Sequence, residues 1–318
     1  MNKTQFVIKR RRFLGASVAG LTAAFLPVSA PLAQSADLRS WRQYVQIPWG
    51  QVHLHGMAPE RRTEVPPLIC LHPTPYSGAF YREFQSLMAS DRVVLCPDTP
   101  GFGSSDKPRQ QMDIRQYATV LADAIEALGY GSDRTGPVDV LGFHTGCLIA
   151  AEMALVRPDL VRRLVLPGIP FREGAEQVAA LEENARPKAY FDDVDALGAQ
   201  WQAQVEWQGH AVSKPRLLEL FGEELRSGPN HWWAYQAVFT YPCAQQFAKV
   251  TKPTLVVATG GDLLEPSRAA AGILPNATLV ERPELDAPLF NQHYAAMAQV
   301  VRTYLANPDP SNVAESNL

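Results

Sequence analysis

Short apolar runs alternate with amphipathic helical stretches along most of this 318-residue chain, and that alternation restricts the fold more than any other feature. Pro67 to Leu71 and Val93 to Cys96 are continuous apolar runs too short for helices, the pattern of strands buried on both faces. Tyr44 to Pro48 and Val52 to Met57 read as an antiparallel pair, and further strands are expected at Val138 to Leu141, Leu164 to Leu166, Thr254 to Ala258 and Thr278 to Val280. Helices are expected at Ala79 to Ser90, Tyr117 to Leu128, Cys147 to Val156, Ser267 to Ile273 and Tyr294 to Leu305. Strands alternating with helices imply an α/β class fold, with a mainly parallel central sheet flanked by helices on both sides. A long, mostly helical insertion over residues 171–250 interrupts the alternation, leaving 37–170 and 251–305 as the core.

The bulk numbers exclude more than they select. A net charge of -3 gives no reason to expect nucleic acid or an anionic membrane as partner, and the size suits one large domain. The four cysteines, Cys70, Cys96, Cys147 and Cys243, form no CxxC pair and no spacing with histidine that suits a metal. Buried thiols are the expected state, with a Cys70–Cys96 disulfide as the alternative in an oxidising compartment. No metal and no cofactor is expected.

The N-terminus carries an address. Lys9-Arg10-Arg11-Arg12-Phe13-Leu14 precedes an apolar run from Ala16 to Val28, then small residues ending in Ala30, Ala33 and Ala36. A basic segment, a short apolar core and an alanine-rich end make an export signal over residues 1–36. With Arg10 and Arg11 as the pair, it resembles a twin-arginine signal, which implies a periplasmic or secreted product. The apolar run is too short to serve as a comfortable permanent span. The polar, proline-containing stretch 306–318 reads as a disordered tail.

In open α/β sheets ligands bind beyond the carboxyl ends of the strands, so the loops there are the ones that matter. Leu71-His72-Pro73-Thr74-Pro75 follows one strand, and Pro97-Asp98-Thr99-Pro100-Gly101-Phe102-Gly103-Ser104-Ser105 is a glycine-rich turn after the next. Val140-Leu141-Gly142-Phe143-His144-Thr145-Gly146 lies between a strand and a helix, and Gly260-Gly261-Asp262 precedes Pro266. Four such segments in this order, spanning about Tyr44 to Leu305, resemble the α/β-hydrolase fold. The resemblance implies that Thr74 and Thr145 supply the backbone amides of an oxyanion hole, that 142–146 is the nucleophile elbow and that Asp262 is the acid of a triad. His72 and Asp98 read as structural residues that fix their turns.

Two positions depart from the family pattern. The elbow tip is His144 instead of serine, and the position of the family histidine falls on Ala287, or on Asp286 if the register slips by one. His293 is expected at the start of the last helix in a surface or capping role. An imidazole reaches roughly 3 Å further than a serine hydroxyl, which would bring His144 within hydrogen-bond reach, about 2.6–3.2 Å, of Asp262. His144 and Asp262 are therefore the candidate catalytic pair. The competing reading is an eroded site, with Asp262 merely capping a turn.

The helical insertion sits where this family carries a cap, and its aromatic residues suit an apolar pocket roof. Trp232 and Trp233, with Asp286, are the candidate pocket residues. The reading that follows is a small-molecule hydrolase for an apolar ester or lactone with a His-centred site. Its rivals are a cofactor-free lyase or isomerase using His144 for proton transfer, and a catalytically silent small-molecule-binding protein.

Overall fold

A computed structural model describes residues 37–131, 135–208, 212–286 and 288–307. The expected export signal over 1–36, most of the expected tail (308–318) and Ala287 lie outside the described residues.

Eight strands form one sheet: β1 (Leu38–Ile47), β2 (Gly50–Pro59), β3 (Leu68–Leu71), β4 (Val94–Pro97), β5 (Val138–Gly142), β6 (Val161–Pro167), β7 (Thr254–Thr259) and β8 (Ala277–Arg282). Their order is β1-β2-β4-β3-β5-β6-β7-β8. The first two strands form an antiparallel hairpin, β2 runs antiparallel to β4, and every later pairing is parallel. Successive residues of a strand point to opposite faces, so each apolar run feeds two cores at once. Ile69, Leu71, Val140 and Leu164 face one core; Leu68, Cys70, Leu141 and Val165 face the other.

The helices that flank the sheet are α1 (Arg82–Met88), α2 (Ile114–Ala127) and α3 (Thr145–Val156) before the insertion. The insertion supplies α4 (Gly174–Asn184), α5 (Val194–Gln208), α6 (Lys214–Ser227), α7 (Trp232–Thr240) and α8 (Cys243–Phe247). After it come α9 (Leu264–Ala271), α10 (Leu289–Gln292) and α11 (Tyr294–Ala306). The first core is built with α2 and α3, the second with α1 and α11. The helix expected over Ala79 to Ser90 begins as a 3-10 turn at Gly78–Tyr81 before becoming α1.

Charged residues fix the ends of this framework. Asp139 on β5, fully buried, is held by Arg162 at 2.6 and 2.8 Å. Arg163 donates to the carbonyls of Tyr304, Leu305 and Asn307, satisfying the C-terminus of α11 and tying it to β6. The four cysteines are buried free thiols, including Cys70 and Cys96 on adjacent strands.

Only part of the insertion stands apart as a cap. Ala234, Ala237 and Val238 of α7, with Tyr241 and with Cys243 and Phe247 of α8, are buried in the first core, so the end of the insertion from α7 onward packs with the sheet. The cap is anchored through α6. Arg216 donates to the carbonyls of Ala79 and Phe80 and to Asn291, while Leu220 reaches the second core.

Candidate active site

The site begins at the turn from β5 to α3. His144 occupies the tip with φ 50° and ψ −116°, and it is the one non-glycine residue with positive φ among those described. Holding a side chain there costs about 1–3 kcal/mol, which the surrounding packing must impose. The packing leaves no alternative. A Cβ on Gly142 would stand 2.0 Å from the Gly146 carbonyl oxygen, and one on Gly146 would stand 2.0 Å from that of Leu71. The two glycines let β5, α3 and β3 approach closely enough to force the tip outward.

The imidazole projects into a cavity of about 510 Å³. Thr74, His144, Arg172, Glu224, Asp262 and Asp286 all line it, so the loops after β3, β5, β6 and β7 converge with the cap. Burial, helped by the charge of Arg172, pushes the His144 pKa down to about 4. At neutral pH the ring is therefore uncharged and keeps a lone pair. Its Nδ1 lies 3.3 Å from Thr145 Oγ1, and that oxygen also accepts a long hydrogen bond, 3.4 Å, from the Thr74 amide. With the ring proton on Nδ1, the threonine accepts it and Nε2 keeps the lone pair. The Thr145 amide opens α3 with no protein acceptor among the described residues, an arrangement that favours anions.

Asp262 stands in the turn directly after β7, where the resemblance puts the acid. It lines the same cavity, but it is exposed and makes no direct hydrogen bond to His144. The reach of an imidazole from the elbow tip does not close the gap, so a water or ligand must bridge the two groups. Gly260 explains how the acid loop is held. Its amide donates to Leu285, and a Cβ there would meet the Pro283 carbonyl oxygen at 2.3 Å. This close approach sets Asp262 beside the loop carrying Asp286. Asp286 in turn lies 3.4 Å from His293 Nε2, and His293 precedes α11 without a side-chain capping hydrogen bond.

The expected pocket tryptophans are elsewhere. Neither Trp232 nor Trp233 lines this cavity, and Trp233 borders a separate small one with His231. The register of α7 turns Tyr235 to the site instead, together with Trp207 of α5. His72 and Asp98 are structural: His72 Nε2 accepts from the Thr99 amide, and Asp98 accepts from Gly78, Ser104 and His53, each at 2.8 Å. His53, His55 and Asp98 also bring three metal-capable groups within 4.8 Å of one another. The Asp98 carboxylate is already occupied by its three donors, which suits a turn anchor better than a ligand. A larger concavity of about 990 Å³, lined by residues such as Trp49, Lys107 and Arg115, includes no histidine, serine or cysteine.

Sequence reasoning missed Glu224. Its buried carboxylate accepts from Tyr190 at 2.7 Å, Gln200 at 2.8 Å and Gln204 at 2.5 Å, and Tyr190 continues to His231 at 3.1 Å. Desolvation nevertheless raises its pKa. The signal was present in the sequence: Leu217, Leu220 and Glu224 recur at i, i+3 and i+7, which puts a carboxylate on the buried stripe of α6.

The sequence profile of the α/β hydrolase fold matches residues 66–285, a stretch that runs from β3 past the acid loop. The chain belongs to the α/β-hydrolase family. Membership sets it among hydrolytic enzymes. A poly(3-hydroxyalkanoate) depolymerase of Ectopseudomonas oleovorans is 27% identical over 205 residues, covering 62% of this chain and 69% of that one. A soluble epoxide hydrolase of Corynebacterium sp. (strain C12) is 35% identical over 107 residues, a match that spans only 36% of its length and 32% of this α/β hydrolase. Among solved structures, a bromoperoxidase from Bacillus anthracis superposes with a TM-score of 0.70 at 15% identity, covering 84% of this chain and all of that one.

Proposed function

We propose that this α/β hydrolase is exported and cleaves a small ester or lactone by a serine-free mechanism centred on His144. The observation that carries the reading is an uncharged imidazole held at a costly positive φ on the elbow tip, inside a cavity it shares with Asp262.

In this mechanism His144 Nε2 takes a proton from a bound water as the water oxygen attacks the substrate carbonyl. The amides of Thr145 and Thr74 receive the developing oxyanion, which requires Thr74 to release its long bond to Thr145. Collapse of the tetrahedral intermediate expels the alkoxide, which recovers the proton from the imidazolium. Asp262 stabilises that imidazolium through a bridging water. No acyl-enzyme forms.

The test is turnover of a panel of short- and medium-chain esters and lactones in oxygen-18 water, by the protein and by His144→Ala. Label in the acid product, lost in the variant, supports the reading. Turnover without label would favour the lyase or isomerase, a reading helped by the buried Glu224 facing the same cavity as the neutral imidazole. Tight ligand binding with no turnover in either protein would favour the silent binding protein. Export is tested separately: Arg10→Lys with Arg11→Lys should hold the chain in the cytoplasm if the twin-arginine signal operates.

A further inference from the structure

We infer that the substrate of this cavity carries a carboxylate, received by Arg172, so that the enzyme acts on an anionic ester or lactone such as the half-ester of a dicarboxylic acid. The inference rests on the hydrolase reading of the cavity and names the chemical class of its substrate.

Arg172 stands in the loop after β6, on the side of the sheet where ligands of open α/β sheets bind, and lines the cavity with His144. The loop is held firmly. The Ile169 amide donates to Ser267 at 3.0 Å, and Gly168, with φ 61°, packs so tightly on Phe143 that a Cβ would meet the ring at 2.7 Å. Phe171 is buried in the core, which leaves Arg172 projecting from an anchored backbone. The guanidinium donates from one nitrogen to the Phe171 carbonyl at 3.0 Å, which fixes its direction. Among the described residues no carboxylate forms an ion pair with it.

A partly buried cation without an anion is costly, and a carboxylate offering two oxygens to its fork recovers the lost solvation. The carboxylates already in the cavity do not fill that role. Glu224 is taken up by Tyr190, Gln200 and Gln204, Asp286 lies against His293, and Asp262 is exposed to water. Arg172 and His144 line the same cavity, so a carboxylate bound to Arg172 belongs to the same small substrate whose carbonyl meets the imidazole. The roughly nine to eleven heavy atoms of a monomethyl half-ester of succinate, glutarate or adipate fit a cavity of about 510 Å³ with room for the attacking water.

The experiment measures binding, so it does not depend on turnover. Succinate, glutarate and adipate are titrated calorimetrically into the full chain, His144→Ala, Arg172→Lys and Arg172→Gln, beside neutral dimethyl glutarate. Circular dichroism confirms that each variant is folded. The expected result is a dicarboxylate affinity that falls about tenfold or more in Arg172→Gln, recovers in part in Arg172→Lys and persists in His144→Ala. Affinity for dimethyl glutarate should be the same in all four. Equal dicarboxylate affinity in the protein and Arg172→Gln overturns the inference, as does failure of all three dicarboxylates to bind. If His144→Ala binds dicarboxylates and the panel shows no hydrolysis, the hydrolase reading fails while the anion site stands. Should hydrolysis be found, a kcat loss in Arg172→Gln that is equal for half-esters and diesters would make Arg172 an oxyanion donor and overturn its role in recognition.

Discussion

At the scale of single residues, His144 concentrates both the cost and the chemistry. Its pKa, brought to about 4 by burial and by Arg172, keeps it a neutral base through the physiological range. If the imidazole is the base, kcat/KM should be flat from pH 8 down to about 5.5 and fall to half near pH 4. A pH–rate profile with its break near the ordinary value of 6.5 would contradict this. The positive φ of the tip makes a second expectation. His144→Gly should abolish turnover and yet stabilise the fold by about 1 kcal/mol in urea titration, because glycine adopts that conformation without strain.

The elements impose that geometry through contacts with no slack. Gly146 lies where α3 crosses β3, and a methyl group there would meet the Leu71 carbonyl oxygen at 2.0 Å. Gly146→Ala should therefore cost about 2–4 kcal/mol of stability and displace the tip, lowering activity beyond what the loss of folded protein explains. In the cap, Glu224 of α6 accepts from Gln200 and Gln204 of α5 and from Tyr190 in the turn before α5. Glu224→Ala leaves Tyr190, Gln200 and Gln204 to find other partners inside a mostly apolar layer, at a cost of about 2 kcal/mol or more. The loss should fall on the cap, where hydrogen exchange of 194–207 and 214–227 would accelerate while the amides of β5 and β6 stay protected.

For the molecule as a whole, three histidines couple folding to pH in the same direction. His55, His144 and His231 each have a folded pKa lowered to about 4, with desolvation the first cause in every case. Between pH 6.5 and 4 the unfolded chain binds more protons than the folded one at these sites. Their contribution is therefore complete above pH 6.5 and is lost as pH falls toward 4. The urea midpoint should decline through that window, and the triple variant His55→Gln, His144→Gln, His231→Gln should flatten the decline. An unchanged slope would mean that these imidazoles are not desolvated in the folded protein.

The sheet strands and their order along the chain were legible in the sequence, because burial on both faces of a strand writes a short continuous apolar run. Its elbow was equally readable, since Gly142 and Gly146 mark a turn that only residues without side chains permit. What an imidazole at the tip would touch was not readable. Its partner was expected to be Asp262 by hydrogen bond, whereas in the fold that carboxylate is exposed and makes no such bond, and the ring pairs with Thr145 while Arg172 lines the same cavity. The cap was legible as helices but not as a roof. Trp232 and Trp233 and the residues that do line the cavity, Trp207, Glu224 and Tyr235, are all side chains of similar helices. Which of them face inward depends on how α5, α6 and α7 rotate as they dock on the sheet. That rotation is fixed by long-range packing through Arg216 and Leu220, and local periodicity contains no record of it.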